Sequence, residues 1–159
     1  MKKIVITGAL GYIGTELCKL YSGFSWKYEV IAIDNRFISE RVNELKRRKI
    51  KFVQADILNL DEIKSYIKEA KVVHHLAGIT NVAYVKKESN PGQDENIKKV
   101  AIEGTENVLK SMNDNATIVF PSTHVVFEGL KKPKKKIDEN EKTSTFLAYS
   151  SSKEVNENQ

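Results

Sequence analysis

Short runs rich in β-branched residues alternate with longer amphipathic stretches along nearly the whole chain, and this beat restricts the fold more than any other feature. Continuous apolar strands must be buried on both faces, and connections long enough to hold a helix bring the chain back in the same direction. The pattern therefore predicts an α/β fold: a doubly wound parallel sheet with helices on both faces. The predicted strands are Lys3 to Thr7, Glu29 to Asp34, Lys51 to Asp56, Val72 to Leu76 and Thr117 to Pro121. Helical spacing covers Tyr12 to Tyr21, Ser39 to Arg48, Asp61 to Glu69 and Asp94 to Met112, and a further helix begins at Leu147. Leu17, Leu20, Val100, Val108 and Leu109 are expected to face inward, and His74, on a buried strand, is read as core. Two connections, Gly78 to Gln93 and Ser122 to Phe146, are long for this architecture. Both follow the carboxyl end of a strand, where open α/β sheets bind ligands.

A chain of 159 residues, 40% of them hydrophobic, reads as one domain able to bury roughly two thirds of its unfolded surface without staples. The single cysteine, Cys18, can form no internal disulfide and is expected on a buried helix face, as suits a reducing cytoplasm. Met1-Lys2-Lys3 followed by Ile4-Val5-Ile6 superficially resembles an export signal, but glycines interrupt it and no small-residue cleavage site follows. No apolar run approaches the roughly 20 residues needed to span a bilayer, so a soluble, cytoplasmic protein without a membrane partner is expected. The net charge of +5 is carried by Lys131, Lys132, Lys134, Lys135 and Lys136; without them 21 basic residues face 21 acidic ones. The run contains no aromatic residue on which a base could stack, so it reads as a solvated loop rather than a nucleic-acid contact. No metal site is expected.

Gly8, Gly11 and Gly14, with Tyr12 and Ile13 between them, lie between the first predicted strand and the first predicted helix. There their amides can approach a pyrophosphate while the helix amino terminus supplies favourable partial charge. Asp34 closes the second strand 20 residues after Gly14, where a carboxylate can accept hydrogen bonds from an adenosine ribose and repel a phosphate. NAD is the expected cofactor, although Arg36 stands close enough to accommodate a ribose phosphate. Asp56 and Ile57 end the third strand and either flank the adenine or cap the helix near Leu60 and Asp61. Near the other end, Tyr149 and Lys153 are four residues apart and so share one helix face, where an ammonium can stabilise a phenolate. A free tyrosine has a pKa of about 10, and bringing it near 7 takes roughly 4 kcal/mol of preferential phenolate stabilisation.

These residues resemble the extended short-chain dehydrogenase/reductase family, in its NAD-dependent sugar-nucleotide epimerase/dehydratase branch. The likeness rests on the glycine spacing, Asp34-Asn35, Asp56-Ile57, His75-Leu76-Ala77-Gly78, Gly104-Thr105-Glu106-Asn107, Ser122-Thr123 and the pair Tyr149 with Lys153. It implies a Rossmann fold, a bound nicotinamide cofactor, and a nucleotide-sugar substrate oxidised at one hydroxyl. Carried over residue by residue, Tyr149 is the acid/base, Lys153 holds the nicotinamide ribose and depresses the tyrosine pKa, and Thr123 hydrogen-bonds the reacting hydroxyl. Gly8, Gly11, Tyr12, Ile13, Gly14, Asp34, Asn35, Asp56, Ile57, Leu76, Ala77, Gly78, Tyr149 and Lys153 form the implied cofactor site.

Family dehydratases follow the threonine with an aspartate and a glutamate; His124 and Val125 stand there instead, which disfavours 4,6-dehydration. His124 itself reads as structural or as part of the substrate loop. The stretch Ser122 to Gly129 also resembles the dTDP-4-dehydrorhamnose reductase subgroup. An epimerase using NAD for transient oxidation is thus the leading expectation, with an NAD(P)H-dependent nucleotide-sugar reductase or a non-catalytic NAD-binding fragment as alternatives. Two departures from the family pattern stand out: Ala101 replaces an asparagine, and the second half that builds the substrate pocket is absent, leaving the fifth strand as an edge. Residues 1–159 therefore read as an incomplete dinucleotide-binding domain, inactive alone, of a protein that is homodimeric when complete.

Overall fold

Five strands, β1 (Lys2–Thr7), β2 (Tyr28–Asp34), β3 (Lys51–Gln54), β4 (Val72–His75) and β5 (Thr117–Val119), pair in parallel in the order β3-β2-β1-β4-β5. This is seen in a computed structural model that describes residues 1–80, 82, 88–131 and 136–159. The helices are α1 (Tyr12–Ser22), α2 (Ser39–Arg47), α3 (Leu60–Ile67), α4 (Pro91–Ser111) and α5 (Ala148–Glu157). The chain divides into two compact units: residues 1–78 with 104–121, which hold the whole sheet, and residues 79–103 with 122–159.

Within the first unit β1 is central, and Ile4 through Thr7 are all buried, as a strand covered on both faces requires. On one face Ile4 and Ile6 join Ala9, Leu10, Cys18, Val30, Ala32, Val42, Leu45 and Ile50 in a single cluster. Alternation along the strands sends Val5, Ile31, Ile33 and Val73 to the other face, and all four are buried. Cys18 takes the inward position on α1, and burial pushes its thiol up to about 12. Leu20, expected inward, is 60% exposed instead. The order of the strands sets the ligand-binding geometry. The chain winds outward from β1 to β3 and then returns to lay β4 on the opposite side of β1. Open sheets bind ligands at such a switch point, beyond the carboxyl ends of the two diverging strands.

Several boundaries differ from the sequence expectation, each for a local reason. β5 stops before Pro121, which has no N–H to give a ladder. β3 stops at Gln54 because Asp56 turns the chain, its Oδ1 accepting from the Leu58 N–H at 2.9 Å. α4 begins at Pro91 rather than Asp94, since Asn90 Oδ1 accepts from the N–H groups of Gly92 (3.1 Å) and Gln93 (3.3 Å). An Asn cap followed by Pro at the first helical position is a start signal that the apolar periodicity hides.

In the second unit, the long connection after β5 holds a 3₁₀ turn, His124–Phe127. Two main-chain bonds stitch it to the segment before α5: Ser144 N–H to the Val126 carbonyl and Gly129 N–H to the Ser144 carbonyl, both 2.8 Å. Lys132, Lys134 and Lys135 of the lysine run lie outside the described residues.

Candidate functional site

The turn after β1 is built around glycine. Gly8 has φ +66°, the left-handed region, and a Cβ there would stand 2.7 Å from the Ala77 nitrogen. A Cβ on Gly14 would come within 2.5 Å of the Gly8 carbonyl oxygen and 2.7 Å of the Ala9 Cα, so α1 packs directly on the turn. At Gly11 a Cβ would meet only the Gly8 oxygen, at 3.1 Å. Gly11 is the N-cap of α1 and offers no side-chain cap, so the orphan N–H groups of the first helical turn are left to a ligand. Tyr12 and Ile13 are 82% and 56% exposed beside it. These features fit a dinucleotide pyrophosphate.

Asp34 is buried at the carboxyl end of β2, where its carboxylate accepts from the Leu10 N–H of the glycine turn at 2.9 Å. Arg36 binds the same carboxylate through its main-chain N–H and two guanidinium nitrogens, and that pairing raises the guanidinium pKa still further. Asn35 Nδ2 donates to Asp56 Oδ2 at 3.2 Å, joining the ends of β2 and β3. The N-cap of α3 is Asn59, so Asp56 does not cap that helix. The Ile57 side chain is buried where a Cβ on Gly104 would collide with it, and its carbonyl accepts from Asn107 Nδ2 at 3.0 Å.

Beyond β4, Leu76 and Ala77 are half-buried and Gly78 is exposed. Their position is fixed by a polar chain that sequence reasoning missed. Thr7 Oγ1 bonds His75 Nδ1 at 2.8 Å and accepts from the Ala77 N–H at 3.3 Å, and His75 Nε2 bonds Thr105 Oγ1 at 3.0 Å. The buried imidazole thus ties β1, β4 and α4 together at the carboxyl edge. His74 is not simply core: half-buried, it bonds the Tyr21 hydroxyl at 2.8 Å, and burial lowers its pKa.

The second unit carries the remaining candidates. Thr123 caps the 3₁₀ turn, its Oγ1 accepting from the Val125 N–H at 3.3 Å. Tyr149 and Lys153 lie one turn apart on α5, with Lys153 Nζ 5.8 Å from the phenol ring centroid. Burial pushes the Lys153 ammonium down to about 8, with Glu157 opposing that shift. Burial also raises the Tyr149 phenol above its ordinary value. Glu128 went unnoticed in the sequence: its Oε1 accepts from the N–H groups of Phe146 (3.0 Å) and Leu147 (2.9 Å) and from the Ser150 hydroxyl, fixing the start of the Tyr149 helix. No local signal foretells a contact across 18 or more residues. Ala101, where an asparagine was expected, gives its carbonyl to Asn156 Nδ2 of α5 at 3.0 Å.

A parallel sheet in this order, with a glycine turn joining its first strand to its first helix, defines a Rossmann-type dinucleotide fold. The chain belongs to the 3-beta hydroxysteroid dehydrogenase/isomerase family, whose model matches residues 5–159, within the extended short-chain dehydrogenase/reductases. It is 34% identical over 88 residues to the UDP-glucose 4-epimerase of Bacillus subtilis, covering 50% of this chain and 25% of that protein. It is 29% identical over 138 residues to the dTDP-4-dehydrorhamnose reductase of Aggregatibacter actinomycetemcomitans, covering 86% and 40%. A further relative, 32% identical over 120 residues, is an uncharacterized membrane protein of Methanocaldococcus jannaschii, of which 34% is covered. Among the described residues, no helix of this chain is long and apolar enough to cross a membrane. Two solved UDP-glucose 4-epimerases share the fold: that of Stenotrophomonas maltophila, crystallised with NAD and a formylated UDP-arabinopyranose (TM-score 0.79, 23% identity), and that of Bifidobacterium longum, with NAD and UDP (0.80, 22%). The chain is covered to 99% in both comparisons but spans 47% of each solved chain.

Proposed function

We propose that this chain is the NAD-binding portion of a nucleotide-sugar epimerase that oxidises one sugar hydroxyl transiently and reduces it again. The observation that carries this reading is the pairing of a glycine turn that tolerates no Cβ at Gly8 or Gly14 with a buried Asp34 on the neighbouring strand. In this reading the turn and the amino terminus of α1 hold the pyrophosphate, and Asp34 and Asn35 the adenosine ribose. Asp56, Ile57 through its main chain, and Leu76 to Gly78 border the cofactor. NAD, when bound, supplies the hydride acceptor. Tyr149 takes and returns the hydroxyl proton, Lys153 holds the nicotinamide ribose and favours the phenolate, and Thr123 orients the reacting hydroxyl. A net reductase remains the second reading, supported by the 86% of the chain that aligns with a dehydrorhamnose reductase. Cofactor balance separates them, because an epimerase regenerates its NAD each cycle and a reductase consumes reduced cofactor.

Calorimetric titration tests the binding site. The chain should bind NAD more tightly than NADP, and Asp34→Ala should narrow the gap by removing both the ribose acceptor and the charge that repels a phosphate. Preference for NADP in the unmodified chain would overturn the assignment. The same chain should show no turnover of UDP- or dTDP-sugars, because it spans under half of its relatives and the binding energy that positions the reacting carbon must come from elsewhere. Rates of order 1 per second, usual for enzymes, would show that a productive sugar site is already present.

A further inference from the structure

Charge in the first unit is sorted along the strand direction. All five strands run parallel, so they start along one rim of the sheet and finish along the other. The finishing rim holds the glycine turn and, at strand ends and helix starts, Asp34, Glu40, Asp56, Asp61 and Glu62 against Arg36 and Arg41. The starting rim is basic. Lys2, Lys27, Lys49, Lys51 and Lys71 are exposed at or just before the strand starts. Lys19, Lys46, Arg47 and Lys64 join them from the last turns of α1, α2 and α3. Cations at helix ends answer the helix dipole, but the strand-start lysines have no dipole to answer. Carboxylates on this rim are Glu29, Glu44, Glu69 and Asp114, and two of them are already engaged: Glu44 by Arg47 and Arg48, and Glu69 by Lys3. The even balance of the sequence outside the lysine run therefore hides a separation of charge that the topology creates.

The same rim exposes apolar side chains where α1 turns into β2. Leu20 is 60% exposed, Phe24 45% and Trp26 75%, between Lys19 and Lys27. The turn that carries them is held from beneath. Phe24 N–H donates to the Tyr21 carbonyl at 2.9 Å and Tyr28 N–H to the Phe24 carbonyl at 3.0 Å. The rings of Tyr21 and Tyr28 meet edge to face at 5.2 Å, and the Tyr21 hydroxyl bonds His74 at 2.8 Å. We infer that this rim docks on an anionic lipid bilayer, with Trp26, Phe24 and Leu20 in the headgroup boundary and the strand-start lysines over the lipid phosphates. Charge complementarity selects an anionic partner, and the apolar trio selects lipid among anionic partners. Leu20 has no π face on which a base could stack, whereas the headgroup boundary takes aliphatic and aromatic side chains alike while lysine heads stay at the phosphates. The sequence-based expectation of no membrane partner rests on spanning length, and a surface contact needs no spanning helix. Docked this way, the chain turns the rim with the glycine turn away from the lipid.

Trp26 is the single tryptophan of the chain, so its emission reads the contact directly. Titration with phosphatidylcholine vesicles containing phosphatidylserine should shift that emission to the blue, and lipids brominated on their acyl chains should quench it. Vesicles of phosphatidylcholine alone, at the same ionic strength, should do neither. Lys27→Gln combined with Lys49→Gln should weaken partition onto the anionic vesicles roughly 25-fold, about fivefold for each lysine near the surface. Phe24→Ser should weaken it about tenfold or more through lost apolar burial. All three positions are exposed, and circular dichroism establishes that each variant is folded. Lys131→Gln combined with Lys136→Gln removes the same charge from the second unit and should cost far less. Unchanged Trp26 emission with anionic vesicles would overturn the proposal. Equal losses from the two lysine pairs would reduce it to diffuse attraction of a basic chain. Tighter binding of an oligonucleotide than of vesicles, weakened by the same substitutions, would make the rim a nucleic-acid surface instead. Self-association that Phe24→Ser abolishes, with no vesicle binding, would make it an interface between copies.

Discussion

Tyr149→Phe in an active full-length enzyme should lower the single-turnover rate by roughly 100- to 10,000-fold, the usual worth of a general acid/base, while NAD affinity persists. Phenylalanine keeps the ring and its stacking and deletes only the hydroxyl. Lys153→Ala should act differently. It should weaken cofactor binding and move the rising limb of the rate–pH profile upward. The sign follows from the local electrostatics: below about 8 the ammonium is charged and favours the phenolate, so its removal leaves burial alone, which raises the phenol pKa. Thr123→Val should slow the reaction with little effect on cofactor affinity, and combined with Tyr149→Phe it should cost far less than the product of the single losses, because the two act on one proton. Near-normal turnover with phenylalanine at position 149 would defeat the proposed chemistry.

Gly14→Ala should destabilise the chain by about 1 to 3 kcal/mol and weaken NAD binding with it, although alanine is the better helix former. Helix propensity favours the substitution by up to roughly 1 kcal/mol. Against that stands a Cβ placed 2.5 Å from the Gly8 oxygen and 2.7 to 2.8 Å from Ala9 Cα and carbonyl carbon. All three are main-chain atoms that cannot rotate aside, so the turn itself must move. Gly23→Ala provides the contrast. At the C-cap of α1, with φ −68°, its Cβ would meet only the Leu20 oxygen at 3.4 Å, and the change should be neutral or mildly stabilising. Urea denaturation of the three proteins measures the difference. A Gly14→Ala variant as stable as the unmodified chain would show that the close approach of α1 to the turn is not needed.

Much of the fold is legible in the chain because its causes are short-range. A β-branched run favours a strand wherever it occurs, a 3.6-residue repeat favours a helix, and glycines spaced by three residues permit a tight turn without help from distant segments. Asp34 could be picked out by its place at a strand end, and Tyr149 with Lys153 by helix geometry alone. What stays hidden depends on a distant partner. The bare face of Gly104, 47 positions later, receives the Ile57 side chain. Leu20 had the right spacing to be buried and the wrong side of α1, because Cys18 faces the sheet.

The sequence by itself determined the strand–helix alternation, the glycine turn, the acid at the end of β2 and the one-turn spacing on α5, since each depends on backbone sterics and periodicity within a few residues. Only the tertiary structure decided how those parts are held. It gave His75 its partners on β1 and α4, set Glu128 against the start of α5, and half-buried the Tyr149 phenol, which raises its pKa. It also filled every acceptor position of Asp34 with Leu10 and Arg36. Hydrogen-bond partners and desolvation depend on which groups converge in space, and convergence across tens of residues leaves no pattern in the local order of side chains.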